Sequence, residues 1–265
     1  MWPGSSAAYS GVQLRVGNQL PTLQKSKGEN NMSAAKRFRN TGLVWSLAVC
    51  VGAFSGAAFA QEKSVAPGIN QPFIDRPFEA WAESFHKEGR EVFDKRDEIV
   101  ASSQVKAGMT VADIGAGTGL FSRLFSNAVG ANGKVYAVDI TKSFVDNTMA
   151  NVRKEGFTNI TGVVNTPKDV PVPAGSVDVA FLSDVYHHFE YPQAMLRAMH
   201  AALKPGGTLA IVEFDRIEGV SSARILEHVR EDKATLIREA EAEGFKLIEE
   251  KRFMQQNYFV RFAKQ

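Results

Sequence analysis

The chain has 265 residues, 44% of them hydrophobic, enough to bury one substantial core with a small appendage. Its formal charge of +2 is unevenly held: residues 1–60 carry six basic side chains against Glu29 alone, leaving residues 61–265 with 25 basic and 28 acidic groups, a charge of −3. A mildly acidic body has no electrostatic footprint for nucleic acid, so no nucleic-acid partner is expected.

Residues 1–60 read as a leader. Lys36-Arg-Phe-Arg39 precedes the uncharged run Asn40 to Ala60, and Ala58-Phe-Ala60 is a small-x-small cleavage site before Gln61, the pattern of an export signal starting at Met32. Cleavage near Ala60 would leave a periplasmic body; the alternatives are an uncleaved membrane anchor, with membrane contact through the leader only, and an organellar transit peptide. Cys50, the one cysteine, lies in the apolar run, so the body has no disulfide, thiol nucleophile or thiolate metal site.

Residues 61–100 form a linker and helical cap. Pro67, Gly68, Pro72 and Pro77 argue for irregular chain, after which Phe78, Trp81 and Phe85 recur at helical spacing and Glu91 to Val100 gives a second helix. Residues 101–265 form the main domain. Its centre is Thr110-Val-Ala-Asp-Ile-Gly-Ala-Gly-Thr-Gly-Leu-Phe-Ser122: a short buried strand with Asp113 near its end, three glycines, and a helix beginning near Leu120. Alternate glycines admit backbone conformations closed to other residues and let a ligand approach the bare chain where a helix offers unpaired N–H groups. The dinucleotide pattern G-x-G-x-x-G needs its third glycine where Leu120 stands. A Walker loop needs Lys and Ser or Thr after its last glycine, but the first cation here is Arg123. An acid, three glycines and no base suit a ligand with positive charge and no phosphate.

The next strand, Gly133 to Ile140, ends in Asp139, 20 residues beyond Gly119, where a βαβ unit places an acid on ribose hydroxyls. The alternative is an Asp139 that caps the helix Thr141 to Val152. Strands over Asn159–Val164 and Ser176–Leu182 follow. Then comes Ser183-Asp-Val-Tyr-His-His-Phe-Glu190, the densest polar cluster of the body, at the strand end where open α/β sheets place their chemistry. A helix over Tyr191–Leu203, a strand over Thr208–Phe214, a long charged helix over Ser221–Glu243 stopped by Gly244, and a hairpin of Phe245–Phe253 with Tyr258–Ala263 complete seven strands. Glu213 and Asp215 end their strand near the expected substrate opening, with solvation the default for both. His86, His200 and His228 are scattered, and no motif joins them to His187 and His188 at ligand spacing, so no metal is expected.

The loop Asp113 to Gly119, Asp139 at its separation, the turn Leu-Lys-Pro-Gly-Gly and the Ser183 to Glu190 stretch together resemble the class I S-adenosylmethionine-dependent methyltransferases. The similarity is to the ubiquinone and menaquinone biosynthesis group (methyltransferase type 11 domain), over about residues 73–265. That resemblance implies a doubly wound α/β, Rossmann-like sheet of seven mostly parallel strands, the last antiparallel, beneath helices that cover the cofactor. It also implies S-adenosyl-L-methionine on Asp113, Gly115, Ala116, Gly117, Thr118, Gly119, Asp139, Ile140, Ser183 and Asp184. Asn165 stands where the family usually has the acid that receives the adenine amine, with Thr166 the neighbouring alternative. Arg90, on the cap, could reach the methionine carboxylate or could be a solvated surface charge. His187 or His188 could take a proton from a small-molecule acceptor. The rival readings are a nicotinamide-dependent oxidoreductase and a non-catalytic protein that binds the cofactor without turnover.

Overall fold

The computed structural model describes residues 63–75 and 77–265; the leader, with its expected cleavage site, lies outside the described residues. In chain order the elements are α1 (Gln71–Asp75), α2 (Phe78–Phe85), α3 (Glu91–Asp94), α4 (Arg96–Ser102), β1 (Thr110–Ile114), α5 (Leu120–Val129), β2 (Lys134–Asp139), α6 (Lys142–Lys154), β3 (Ile160–Val164) and β4 (Val177–Ser183). A 3₁₀ turn (Tyr186–His188) follows, then α7 (Pro192–Ala202), β5 (Leu203–Phe214), α8 (Ala223–His228), α9 (Lys233–Ala242), β6 (Phe245–Lys251) and β7 (Asn257–Lys264).

The strands form one seven-stranded sheet in the order β3-β2-β1-β4-β5-β7-β6. Pairing is parallel from β3 through β5, and β7 runs antiparallel to both of its neighbours. This is the doubly wound sheet expected from the sequence. Successive residues of each central strand feed opposite layers, as the two-residue period requires. Ala112, Ile114, Tyr136, Val138, Leu182 and Ile211 pack with α7 and α9 on one face. Val111, Val135, Phe181 and Val212 pack with Ile99 of α4 and with Phe121 and Phe125 of α5 on the other. A sheet covered on both faces explains why these strands read as nearly unbroken apolar runs. The carboxyl ends of β1, β2, β4 and β5 therefore open on one edge, where the order reverses between β1 and β4.

Two helix expectations are corrected. Glu91 to Val100 is not one helix: the chain turns at Lys95, and Arg96 Nη1 donates to Phe93 O at 2.7 Å while its guanidinium lies 4.5 Å from the Phe93 ring centre. Nor is Ser221 to Glu243 continuous. Val229 is extended and buried, and Asp232 starts a new helix by accepting from Thr235 N at 2.7 Å. Arg230 is held by Glu239 Oε1 at 3.0 Å and Oε2 at 2.7 Å. A side-chain cap and an ion pair thus override the charged helical pattern. Among the described residues, no helix is long and apolar enough to cross a membrane.

Phe181 is fully buried, with its ring centre 4.8 Å from those of both Phe121 and Phe125. Phe181→Ala is expected to destabilise the chain by about 3–5 kcal/mol, the range for deleting a core aromatic. Urea unfolding measures this, and a cost below about 1 kcal/mol would remove the ring from the core.

Candidate functional site

The glycine loop leaves β1 and wraps over the end of β2. Gly115 N and Ala116 N both donate to Val138 O, at 2.8 and 2.9 Å, and Gly117 N donates to Asp139 Oδ2 at 2.8 Å. These turns need φ of +70° at Gly115 and +53° at Gly117, the left-handed region that glycine enters without strain. A Cβ at Gly115 would stand 2.5 Å from both methyls of Val185, whereas at Gly117 the nearest atom is the Phe85 ring at 3.4 Å, so the loop presents bare backbone toward the cap.

Two carboxylates lie behind this loop. Asp139 Oδ1 also accepts from Thr141 N at 2.8 Å, and Asp113 Oδ2 accepts from Ser122 Oγ at 2.6 Å, tying β1 to the start of α5. Burial pushes Asp113 up to about 7, against its Ser122 bond and helped by the charge of Asp139; it pushes Asp139 up to about 6 against its backbone N–H donors. The linker and cap close the cavity from above. Phe73 stacks on Trp81 at 4.4 Å and meets His188 edge-on at 4.9 Å, and Thr118 Oγ1 lies 3.0 Å from His86 Nε2. Arg90 Nη2 donates to Asp184 Oδ2 at 2.7 Å and Nη1 donates to Phe85 O at 3.1 Å, while Asn257 Nδ2 donates to Asp184 Oδ1 at 2.6 Å. Burial raises Asp184, opposed by Arg90.

Away from the loop, the same cavity, about 790 Å³, ends in a wall of histidines. His187 is 1% exposed, and its Nδ1 lies 2.9 Å from Oε1 of fully buried Glu213. Glu213 also accepts from His187 N at 3.3 Å and from Phe214 N at 2.7 Å. A carboxylate used only as an acceptor makes His187 Nδ1 the donor and leaves Nε2 for a ligand. Burial alone would lower His187; the Glu213 carboxylate outweighs it, and the net shift is upward. His188 is pushed down to about 2 by burial, then by His187 and His228, and its Nδ1 is buried without a hydrogen-bond partner. His228, from the end of α8, completes the wall, its ring centre 4.9 Å from that of His187 and 5.1 Å from that of His188.

Residues 112–211 match the family described as a methyltransferase domain. The ubiquinone/menaquinone biosynthesis C-methyltransferase of Escherichia fergusonii is 34% identical over 124 residues, which are 46% of this chain and 49% of that protein. The chain thus spans about half the length of the curated relatives it matches. Over residues 112–211 the match, the relatives and the fold together support a class I S-adenosylmethionine-dependent methyltransferase domain. Among solved structures, a SAM-dependent methyltransferase from Aquifex aeolicus superposes with a TM-score of 0.64 at 24% identity, over 70% of this chain and 98% of that one. The [4+2]-cyclase SpnF superposes with a TM-score of 0.57 at 16% identity, over 67% of this chain and 84% of that one. Likeness at that level carries the fold alone.

Family and fold imply S-adenosyl-L-methionine, and the residues of the methyltransferase domain fit it. Ten of the twelve expected cofactor positions line the cavity: Asp113, Gly115, Ala116, Gly117, Thr118, Asp139, Ile140, Asn165, Ser183 and Asp184. Asp139 is both a backbone anchor and a candidate ribose ligand, because each of its oxygens keeps a second lone pair. Asn165 Nδ2 donates to Thr166 O at 2.8 Å, which leaves its Oδ1 as an acceptor for an amine, and Ser183 Oγ is buried without a partner. Gly119 and Thr166 do not line the cavity. A Cβ at Gly119 would meet Thr148 Cγ2 at 2.5 Å, so that glycine serves packing against α6, and Thr166 turns its N–H and Oγ1 to Asp169 Oδ1, each at 2.7 Å. Asp184 and Arg90 hold each other as well as facing the cavity, and Glu213 is a buried orienting group, not a solvated one. Sequence reasoning left His228 outside the site, because it is 40 residues from His188 and sat in an unbroken helical pattern.

The ionised form of Asp139 is the one that accepts ribose hydroxyls, so protonation competes with the cofactor. Affinity for S-adenosylhomocysteine, which has no titrating group in this window, is expected to hold above Asp139's value of about 6 and to fall roughly tenfold by pH 5. Asp139→Ala is expected to lose about 1.5–3 kcal/mol of binding at pH 7.5 and most of the pH dependence. Calorimetry measures both, and a flat wild-type profile between pH 5 and 8 would remove Asp139 from the ribose contact.

Proposed function

We propose that the chain moves a methyl group from S-adenosyl-L-methionine to a small-molecule acceptor by in-line displacement. The observation that carries this is the single cavity joining the glycine loop and Asp139 to an aromatic and histidine wall, which gives a cofactor half and an acceptor half. When bound, the cofactor supplies a methyl group already activated on a sulfonium. The chain's own share is alignment and desolvation: Asp139 and the loop fix the cofactor end, and Phe73, Trp81, Phe85 and Phe144 exclude water. The same rings offer flat apolar faces to an acceptor, and the histidines offer it nitrogen ligands. The Escherichia relative is named for C-methylation in quinone biosynthesis, which supports a planar acceptor bearing ring oxygens.

The test uses methyl-labelled cofactor with a panel of quinols, phenols, amines and thiols. Label is expected on an oxygen-bearing aromatic acceptor, and transfer is expected to fall in Asp139→Ala. A tight cofactor complex with no transfer across the panel would favour the non-catalytic reading, and binding of NAD in preference to S-adenosylmethionine would favour the oxidoreductase.

We also propose that the leader exports the body and is cleaved after Ala60, on the charge and apolar pattern of Lys36 to Ala60. Intact-mass measurement on protein recovered from the cell envelope is expected to give a chain beginning at Gln61. A mass retaining residues 36–60 would contradict this.

A further inference from the structure

We propose that His187, His188 and His228 form a site for a divalent transition metal in the acceptor half of the cavity. One ligand nitrogen from each lies within 4.8 Å of the other two. Nitrogen ligands at about 2.1 Å in a tetrahedral site stand about 3.4 Å apart, so the widest pair must close by roughly 1.4 Å. That movement falls on His228, which is exposed, ends the six-residue helix α8 and is followed by extended Val229.

Three features fit a metal better than a packed ring cluster. His188 Nδ1 is buried with no hydrogen-bond partner, an expense that a phenylalanine of similar shape would avoid. His187 is bound at Nδ1 by Glu213, whose carboxylate is itself fixed by two backbone N–H groups; this is the carboxylate–histidine pairing that orients metal ligands and strengthens the opposite nitrogen. Among the described residues, the His228 ring makes ring contacts with His187 and His188 and no hydrogen bond.

Three imidazoles and no directly ligating carboxylate select zinc, copper, iron or nickel over magnesium or calcium. Three protein ligands also leave a coordination position open, and all three histidines line the cavity. The acceptor class this would hold carries a hydroxyl or carbonyl oxygen, and that part of the inference rests on the methyl-transfer reading. Metal binding itself does not.

The experiment uses the full chain without a polyhistidine tag, stripped by chelator and titrated with Zn²⁺ or Co²⁺. About one ion per chain is expected, with visible d–d absorption from Co²⁺ in a site of low coordination number. Glu213→Gln is expected to weaken metal binding by about 10–100-fold, and His228→Ala by more than that. Because His228 is exposed, its removal should leave the circular dichroism and S-adenosylhomocysteine affinity intact; His188→Phe, which keeps the ring volume, is a second ligand deletion. Absence of stoichiometric metal, or unchanged affinity in both His228→Ala and His188→Phe, would overturn the site. Failure of cofactor binding in the same preparations would instead overturn the methyltransferase reading.

Discussion

The hydrogen bond from Gly117 N to Asp139 Oδ2, 2.8 Å long, is the contact on which the rest of the site depends. It joins the loop after β1 to the end of β2, and with Thr141 N on the other oxygen it fixes the carboxylate in one orientation before any ligand arrives. A buried carboxylate held by two backbone donors loses little further freedom on accepting two more hydrogen bonds, and that preorganisation is where affinity is gained. The arrangement tolerates no side chain at Gly115, because Val185 already fills the space behind it. The same valine precedes the 3₁₀ turn that carries His187 and His188, so the two halves of the cavity share one packing contact.

A second device holds the cap over the sheet. Asp184 has φ of +51°, a conformation that costs a non-glycine residue on the order of 1–3 kcal/mol and persists only when neighbours impose it. The neighbours are Arg90 from the cap and Asn257 at the start of β7, each on a separate carboxylate oxygen, with the Asp184 N–H on Val212 O at 3.0 Å. Glu91, the next residue after Arg90, accepts from the backbone N–H groups of Gln255, Gln256 and Asn257 at 2.5, 2.8 and 3.1 Å. Two adjacent cap residues therefore grip the sheet at the β6–β7 corner. An arginine that the sequence leaves open as ligand or surface charge is thus first a latch, and its reach into the cavity is set by Asp184.

Legibility in the sequence followed chain distance. The glycine loop and Asp139 were readable because local backbone geometry demands those residue types, at a separation fixed by one βαβ unit. The seven strands were readable for the same reason, as two-sided burial writes itself into apolar runs. The histidine wall was not. His228 joins His187 and His188 only because α8 stops at His228, and it stops there through Asp232 capping α9 and Arg230 pairing with Glu239, two side-chain interactions that a helical charge pattern hides. Glu213 is hidden in the same way: at a strand end it reads as solvated, but beside the adjacent Phe214 N–H it accepts from two His187 donors that only the tertiary fold brings to it.

That contrast bears on what the family match can transfer. The matched residues end at Ile211, so Glu213, His228 and Glu231 lie beyond them. The expected cofactor positions sit on the glycine loop and at the ends of β1, β2, β3 and β4, all within or beside the matched residues. The proposed acceptor half is built from side chains of the cap, the turn after β4, the end of β5 and the segment around α8. The family match therefore bears on the cofactor positions, while the residues of the proposed acceptor wall lie partly outside it and must be argued from their own chemistry. In this chain that wall is three imidazoles, one of them oriented by buried Glu213, and on the methyl-transfer proposal it is the surface an acceptor would meet.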